Sequence, residues 1–322
     1  MNSIDAVASP WHEGERAMQT LAGVRERMDA LGPRVIRDYM PEQHRTFFAQ
    51  LPFLIAGSLD RAHQPWASVL AAPPGFAQSP DEHHLRIDAR PLAGDPLSSA
   101  LLSGAPLGLL GIEPHTRRRN RMNGVVEQVD ARGFSVEVQQ SFGNCPKYIQ
   151  TREPLFVGGA HAAANARRSD RMDEAARRIV AKADTFFIAT AHPAAGDATA
   201  SHGVDVSHRG GRSGFVQLTG EGTLTVPDFV GNSFFNTLGN IAVYPKAGLL
   251  FIDFETGDVL QLAVTAETIW DGPELAGFAG AERLLRMQVA SALLMPVALP
   301  LRWGRGDLSP FLAPTGQWPK AA

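Results

Sequence analysis

Stretches of helical hydrophobic spacing alternate along this chain with blocks of short β-like runs. Met18 and Leu21 begin a series of apolar residues at helical spacing, which predicts a helix over residues 12–31. Gly32 and Pro33 would end that helix. Short apolar runs separated by Gly, Pro and Asp fill the other blocks, so the pattern predicts a mainly β protein with flanking helices (α+β). The further predicted helices cover residues 41–50, 169–183 and 273–295.

The two β-like blocks resemble each other in sequence. The run FLIAG at Phe53 returns as FFIAT at Phe186. The run GLLGIE at Gly108 returns as GLLFID at Gly248. Chance similarity between strands is the alternative, but the matches keep their order, which predicts two copies of one small barrel. Three further matches pair Ala67-Ser68 with Ala200-Ser201, Gly75-Phe76 with Gly214-Phe215, and Leu85 with Leu224.

These boundaries divide the chain into three predicted parts. Residues 1–50 form a helical lead-in, and residues 51–160 form the first barrel, which we call copy one. Residues 161–322 hold a helix, the second barrel, which we call copy two, and a C-terminal helical tail.

Composition narrows the class of protein without identifying its chemistry. Hydrophobic residues make up 44% of the chain and charged residues 20%, which is typical of a folded domain. With 30 basic and 33 acidic residues, no overall field favours nucleic acid or an anionic membrane as a partner. A single cysteine excludes an intrachain disulfide and a multi-thiolate metal site, so a reducing cytoplasmic setting is predicted. No signal peptide and no membrane-spanning run are expected.

Two segments of copy two carry groups suited to an anion. The segment DVSHRGGRSGFV offers Ser207, Arg209 and Arg212 beside glycines that allow close backbone approach, although a surface hairpin is the alternative. Further on, three asparagines recur at four-residue steps, which would place their amides on one face of a helical turn. Helix capping on a solvated face is the alternative for these asparagines, which are Asn232, Asn236 and Asn240.

Copy one carries a basic strand instead. Alternation along a strand would send Arg117, Arg119, Arg121 and Asn123 to one face. The aligned residues of copy two carry no charge; they are Gly257, Val259, Gln261 and Ala263. A solvated basic face is the alternative to a ligand site.

Copy one ends in SFGNCPKYIQTR, which contains the lone cysteine. Cys145 lies beside Lys147, Tyr148 and Arg152, so it is a candidate nucleophile, redox sensor or member of a ligand site. A nucleophilic cysteine needs a nearby base and a lowered pKa, and no histidine is close in sequence.

The segments DVSHRGG…GFV, PD…GN…NTLGNI and GLLFIDF resemble the FMN-binding split-barrel superfamily typified by pyridoxamine 5′-phosphate oxidase. RMNG and NCPKYIQTR resemble the closing half of the same pattern, and SPWHEGERAMQ and PEQHRTFFAQLPFL are similar to the lead-in of tandem members. The resemblance extends to about Asp271. Single-barrel relatives form homodimers with two flavin sites. Here the resemblance implies two tandem FMN-binding split β-barrels in an intrachain pseudo-dimer with one intact FMN site.

The resemblance also implies site residues. Ser207 and Arg209 would hold the FMN phosphate with the amides of Asn232, Asn236 and Asn240. Positive charge from Lys147 or Arg152 would lie near the flavin N1–C2 carbonyl, and Cys145 would be a packing residue. The residues of copy one that would reach across to the flavin are Arg121, Lys147, Tyr148, Gln150 and Arg152.

The function implied is an FMN-dependent oxidoreductase acting on a small-molecule substrate. Its electron donor would be a separate reductase or NAD(P)H, since the chain has one cysteine and no GxGxxG. The tail lacks the Arg-x-His element of true pyridoxamine-phosphate oxidases, which argues against that substrate. One alternative is a non-enzymatic flavin or haem binding protein, and another is a structural module with both sites inactive. The candidate haem ligands are His12, His115, His161, His202 and His208.

Overall fold

The computed structural model describes residues 9–158 and 166–319. The predicted helix over residues 12–31 is two helices, because the chain turns at Gly23, which has a φ of 67°. The predicted stop at Gly32 and Pro33 is wrong, since the second helix continues through both residues to Val35. The α-helices are α1 Glu13–Leu21, α2 Arg25–Val35, α3 Glu42–Ala49, α4 Leu97–Ala100, α5 Glu174–Lys182, α6 Asn236–Val243 and α7 Pro273–Ala276.

Strands dominate the rest of the described chain, and they form two large antiparallel sheets. The first sheet has the order β2-β1-β5-β6-β7-β4-β3. Its strands are β1 Phe53–Leu59, β2 Pro65–Ala71, β3 Ala77–Gln78, β4 His84–Ile87, β5 Pro106–Glu113, β6 Arg118–Val129 and β7 Phe134–Gly143.

The second sheet has the order β11-β10-β14-β15-β16-β13-β12, and β9 adds to β16. A small third sheet pairs β17 with β8. The strands are β8 Pro154–Phe156, β9 Arg167–Ser169, β10 Thr185–Ala191, β11 Val204–Gly210, β12 Gln217–Thr219, β13 Thr223–Phe229, β14 Lys246–Ile252, β15 Val259–Ile269, β16 Ala281–Met295 and β17 Leu301–Trp303.

The predicted helix over residues 273–295 is wrong beyond its first turn. Only Pro273–Ala276 is helical, and Ala281–Met295 is the long strand β16. Its sequence AERLLRMQVASALLM is rich in good helix formers, but β16 pairs with both β15 and β13 along its length. Tertiary pairing therefore overrides local helix propensity here. The predicted helical tail is also not seen, since the described residues after 295 hold only β17 and a 3₁₀ turn.

The two large sheets have the same strand order. β1 matches β10, β5 matches β14 and β6 matches β15 in both sequence order and position within the sheet. Neither described sheet closes into a barrel through its strand pairing. The protein is therefore mainly β with antiparallel sheets and flanking helices, as predicted, and the two blocks share one topology.

Register corrects two predicted matches, and in the first of them Phe53 is equivalent to Thr185, one residue before the predicted Phe186. Gly108 and Gly248 occupy equivalent places, facing Gly57 of β1 and Ala189 of β10 respectively. From the same reference points, Ser68 on β2 is equivalent to Ser207 on β11. The predicted match of Ala67-Ser68 with Ala200-Ser201 is therefore wrong, because the latter pair lies in the loop before β11.

The two sheets pack against each other through a shared core. Gly108 and Gly248 make reciprocal close contacts, because an added Cβ would overlap the carbonyl oxygen of Val204 or Pro65 respectively. Each sheet also has its own core. The shared core includes Ile55, Val69 and Leu110 from the first sheet and Phe187, Val206 and Leu250 from the second. None of the described helices is long and apolar enough to cross a membrane.

Candidate functional site

A cavity opens between the two sheets, near the start of α6. Its space is about 960 Å³ when the open solvent at its mouth is included. Copy one contributes β6 and residues 144–148, and copy two contributes β11, the end of β13 and residues 231–238. The charged residues of the lining are Arg119, Arg121, Lys147, Arg209 and Arg283 against Asp228 and Glu282. The cavity therefore favours an anion.

Arg121 crosses from the first sheet to the second. Its side chain is 3% exposed, and Nη1 donates to Asp205 Oδ1 at 2.9 Å and to Asn236 Oδ1 at 2.8 Å. Its Nη2 donates to Ser207. Its Nε is buried and has no partner among the described atoms. A buried guanidinium N–H without an acceptor is unusual.

A second arginine pair lies on the copy-two wall. Arg209 and Arg283 both bind Asp228, with Arg283 Nε 2.9 Å from Asp228 Oδ2. Arg283 packs between Phe235 and Trp270, whose ring centres lie 5.0 and 5.1 Å from its guanidinium carbon. Arg209 Nε is also buried without a partner among the described atoms. Two guanidinium groups therefore share the single negative charge of Asp228. Because Arg283 alone can balance that charge, the positive charge of Arg209 is available for a ligand.

The Arg119 guanidinium contacts the neutral imidazole of His208 at the cavity wall. Arg119 Nε donates to the Cys145 carbonyl at 2.6 Å, and its Nη1 lies 3.3 Å from His208 Nδ1. A guanidinium can only donate, so Nδ1 accepts and the imidazole proton sits on Nε2. Burial, and then Arg119, hold the pKa of His208 well below its usual value. Burial also lowers the pKa of Arg119 to about 10. Among the described residues Arg119 has no carboxylate partner.

The segment before α6 is shaped by unusual backbone. Ser233 and Phe235 have φ values of 65° and 66°, and Asn232 Oδ1 accepts from Phe234 N at 3.2 Å. No side chain caps the first turn of α6. Residues 235–238 line the cavity, so the positive end of the helix dipole faces it.

Seven of the ten predicted site residues line this cavity. Asn236 differs from its predicted role, because both ends of its amide are already engaged by Arg121 and Glu15. Asn232 precedes α6, so it does not share a helix face with Asn236. The seven are Arg121, Lys147, Tyr148, Ser207, Arg209, Asn232 and Asn236.

The other three predicted residues lie away from the cavity lining. Asn240 is buried behind it and donates to Thr190 and Asp205. Gln150 is buried against backbone, accepting from Ser309 N at 2.7 Å and donating to Gly211 O at 3.0 Å. Arg152 pairs with Asp184 and lies over the Phe254 ring at 4.2 Å. Internal hydrogen bonds therefore occupy the amide donors of Asn240 and Gln150, whereas Oδ1 of Asn240 is buried without a partner among the described atoms.

Two predicted arginines and the cysteine also differ in placement. Arg117 precedes β6 with a φ of 56°, so the shared face of the basic strand begins at Arg119. Arg212 donates to Leu312 O at 3.0 Å and is not part of the cavity lining. Cys145 is a free thiol in the lining and is half-buried.

The equivalent place in the other half is closed. Gln261, which matches Arg121, donates to Ser68 Oγ and Asp95 Oδ2 at 3.1 Å each. Ser68 Oγ donates to Asp95 Oδ1 at 2.6 Å. All three side chains are buried, and burial raises the pKa of Asp95 to about 6. The carboxyl group of Asp95 therefore occupies the place that corresponds, in this half, to the cavity surrounded by three arginines.

A histidine cluster lies behind α6. His12, Glu13 and His192 could each offer one ligand atom within 4.8 Å of the others. However, Nδ1 of His12 accepts from Gly14 N, and Nδ1 of His192 accepts from Ala194 N, each at 3.1 Å. Each neutral ring must then keep its proton on Nε2, the atom that a metal would need. The donor set does not fit a metal ion.

The other candidate haem ligands are scattered. His115 is exposed within a 3₁₀ turn, and His202 binds Asp197 at 2.8 Å. His208 alone among the described candidates lines the cavity. His161 lies outside the described residues.

No family model and no curated protein sequence matches the chain. HupZ of Group A Streptococcus matches with 12% identity and a TM-score of 0.30, over 43% of this chain and 98% of that chain. A candidate pyridoxamine 5′-phosphate oxidase of Lactobacillus delbrueckii matches with 15% identity and a TM-score of 0.29, over 38% and 94% respectively. The MrkH–c-di-GMP complex of K. pneumonia matches with 11% identity and a TM-score of 0.19, over 76% and 78%. At TM-scores this low, the matches establish no function.

Proposed function

We propose that this protein binds FMN in the cavity between its two sheets and is a flavin-dependent oxidoreductase. One observation carries the proposal. Arg119, Arg121 and Arg209 surround one cavity, and two of them hold buried Nε–H groups without acceptors. An anion with several oxygens, such as a phosphate monoester, satisfies such a set.

The phosphate would bind at the inner, cationic part of the cavity. Arg121 and Arg209 supply the unpaired donors, Ser207 lies beside Arg121, and the uncapped first turn of α6 adds backbone dipoles. Asp228 lies in the same wall and would repel a phosphate, but Arg283 balances its charge. The residues present therefore fit a phosphate group.

The flavin ring would bind nearer the mouth. The lining includes apolar surface from Leu110, Phe229 and Phe235, and Tyr148 packs on Phe229 with ring centres 4.9 Å apart. Lys147, which has no carboxylate partner among the described residues, would place positive charge at the rim. When bound, FMN supplies hydride or electron transfer, while these residues bind and orient it and exclude water.

The proposal includes the arrangement of the two halves. We infer that the two sheets are tandem split barrels forming an intrachain pseudo-dimer, with one FMN per chain. The shared strand order and the reciprocal contacts of Gly108 and Gly248 support it. A small-molecule substrate, a separate reductase or NAD(P)H as electron donor, and a cytoplasmic location remain predictions.

Haem binding is the alternative, and His208 is its candidate ligand within the cavity. A haem-ligating imidazole binds iron through one nitrogen and donates through the other. Arg119 donates to His208 Nδ1, which leaves the proton on Nε2. This hydrogen bond favours the flavin.

Absorption spectroscopy and stoichiometry test the proposal. The protein purified with cofactor, or reconstituted from FMN, should show the two broad flavin bands and one FMN per chain. A sharp Soret band would favour haem, and two FMN per chain would refute the single site. No binding of either chromophore would favour the structural-module alternative.

A further inference from the structure

A buried carboxyl group lies directly behind the cavity wall. Glu15 on α1 is 3% exposed, and its Oε2 accepts from His12 N at 3.0 Å. Its Oε1 accepts from Asn236 Nδ2, and Asn236 lines the cavity. α1 crosses α6 so closely that a Cβ on Gly239 would lie 2.6 Å from Glu15 N. The crossing fixes Glu15 against Asn236.

Glu15 and Asp205 face a single cation. Arg121 donates to Asp205 and, through Asn236 Oδ1, is linked to the amide that donates to Glu15. His12 is the other titratable group at hand, with Nε2 3.6 Å from Glu15 Oε2. Burial lowers the pKa of His12 to about 4, so it is neutral near pH 7. Two buried carboxyl groups therefore share one guanidinium.

The titratable groups beyond His12 do not add a second positive charge beside Glu15. Glu13 pairs with His192 at 3.0 Å, and the His202 ring stacks on His192 with centres 3.8 Å apart. That group contacts Glu15 only across His12. Burial first, and then Asp205, raise the pKa of Glu15 well above its usual value.

We propose that Glu15 takes up a proton from solvent when an anion binds to Arg121 in the cavity. A bound anion would engage Arg121, which lines the cavity, and take part of the charge that compensates the two carboxylates. Asp205 accepts directly from the charged Arg121 Nη1 at 2.9 Å, whereas Glu15 accepts only from the neutral His12 N–H and the neutral Asn236 amide. The proton therefore goes to Glu15. For FMN this inference rests on the proposed function, but it also applies to inorganic phosphate.

The sign of the linkage follows from proton uptake. Binding raises the pKa of Glu15 further, so affinity for the anion falls as pH rises from the free-state pKa to the bound-state pKa. Uptake of one proton corresponds to a fall of about tenfold per pH unit within that window. FMN should be titrated above about pH 7.5, where its own phosphate, with a second pKa near 6, no longer changes charge.

Two measurements test the proposal. Calorimetric titration of the full chain with FMN, in two buffers of different protonation enthalpy, should show proton uptake. Glu15→Gln should abolish the uptake. Glu13→Gln, which changes the exposed glutamate two residues earlier on α1, should retain it. Infrared difference spectra of wild type with inorganic phosphate should show a new protonated-carboxyl band. Carbon-13 labelling of glutamate should shift that band, which keeps the test valid if Glu15→Gln does not fold.

The outcomes separate the two proposals. A phosphate-induced glutamate band without FMN binding would refute the proposed function and support this inference. FMN binding without proton uptake, and without a phosphate-induced band, would refute this inference and leave the function standing. Uptake that persists in Glu15→Gln would also refute it, and failure of both ligands to bind would refute both.

Discussion

Arg209 provides the sharpest test of the phosphate site, because the fold itself depends on it little. Its only charged partner among the described residues is Asp228, which also binds Arg283 at 2.9 Å. Arg209→Gln therefore leaves Asp228 paired. The variant should fold, and the substitution should weaken the binding of the ligand rather than the stability of the protein.

The expected loss follows from the unpaired Nε of Arg209. A hydrogen bond to a charged group contributes about 1.5–3 kcal/mol. Losing one such contact weakens binding by about tenfold to a hundredfold, at 1.4 kcal/mol per factor of ten. Quenching of FMN fluorescence by the apoprotein measures this directly.

The matched control for this test is Arg286→Gln. Arg286 lies on the same strand as Arg283 but pairs with Glu274 and Glu267 and is not part of the cavity lining. It removes the same charge and should leave the Kd for FMN unchanged. Equal affinity of the wild type and Arg209→Gln, with both proteins folded, would refute the placement of the phosphate.

Three further outcomes are expected. Gly248→Ala should destabilise the fold by about 3 kcal/mol, because its Cβ would overlap the Pro65 carbonyl oxygen, whereas Gly143→Ala has no contact closer than 3.7 Å and should be neutral in urea unfolding. Folding raises the pKa of Asp95 from 3.8 to about 6, so wild-type stability should fall by about 3 kcal/mol as pH rises through that interval, and Asp95→Asn should lack this part of the pH dependence. Cys145→Ser should bind FMN as tightly as the wild type, because the cavity uses the backbone carbonyl of this residue; loss of flavin or of activity would restore the nucleophile hypothesis.

The repeat could be predicted from sequence because its most constrained positions require a particular type of residue, which the sequence shows directly. Gly108 and Gly248 are fixed by close backbone contacts between the two sheets, and each begins a long apolar run. Those runs are buried strands. The Ser68 match failed because the loop before β11 is longer than the turn before β2, and a sequence offset cannot detect such an insertion.

The contribution of Arg283 could not be predicted, because its segment carries the wrong local preference. Residues 281–295 are rich in helix formers, and only pairing with β13 and β15 makes them a strand. Alternation on that strand then turns Arg283 towards Asp228. A side chain whose position depends on long-range pairing leaves no periodic pattern in the sequence.

The polar residues of the candidate site show a related limit. Sequence identifies Asn236, Asn240 and Gln150 as amides near a ligand, but it does not show whether their donors are free. Asn240 and Gln150 are used internally, and Asn236 connects Arg121 to Glu15. Glu15 itself is separated from Asn236 by 221 positions, so only the crossing of α1 and α6 brings the two together.

One strand position explains why the two halves of this chain would differ in function. Arg121 on β6 and Gln261 on β15 occupy equivalent places, and each reaches a serine on the opposite sheet. Gln261 is neutral, so the acceptor it meets can be a buried carboxyl group, Asp95, that fills the space. Arg121 is charged and also meets a buried carboxylate, Asp205, but its Nε is left without an acceptor among the described atoms. A buried cation with an unpaired donor favours an anionic ligand, whereas a closed amide–carboxyl cluster does not, so we predict one anion site per chain.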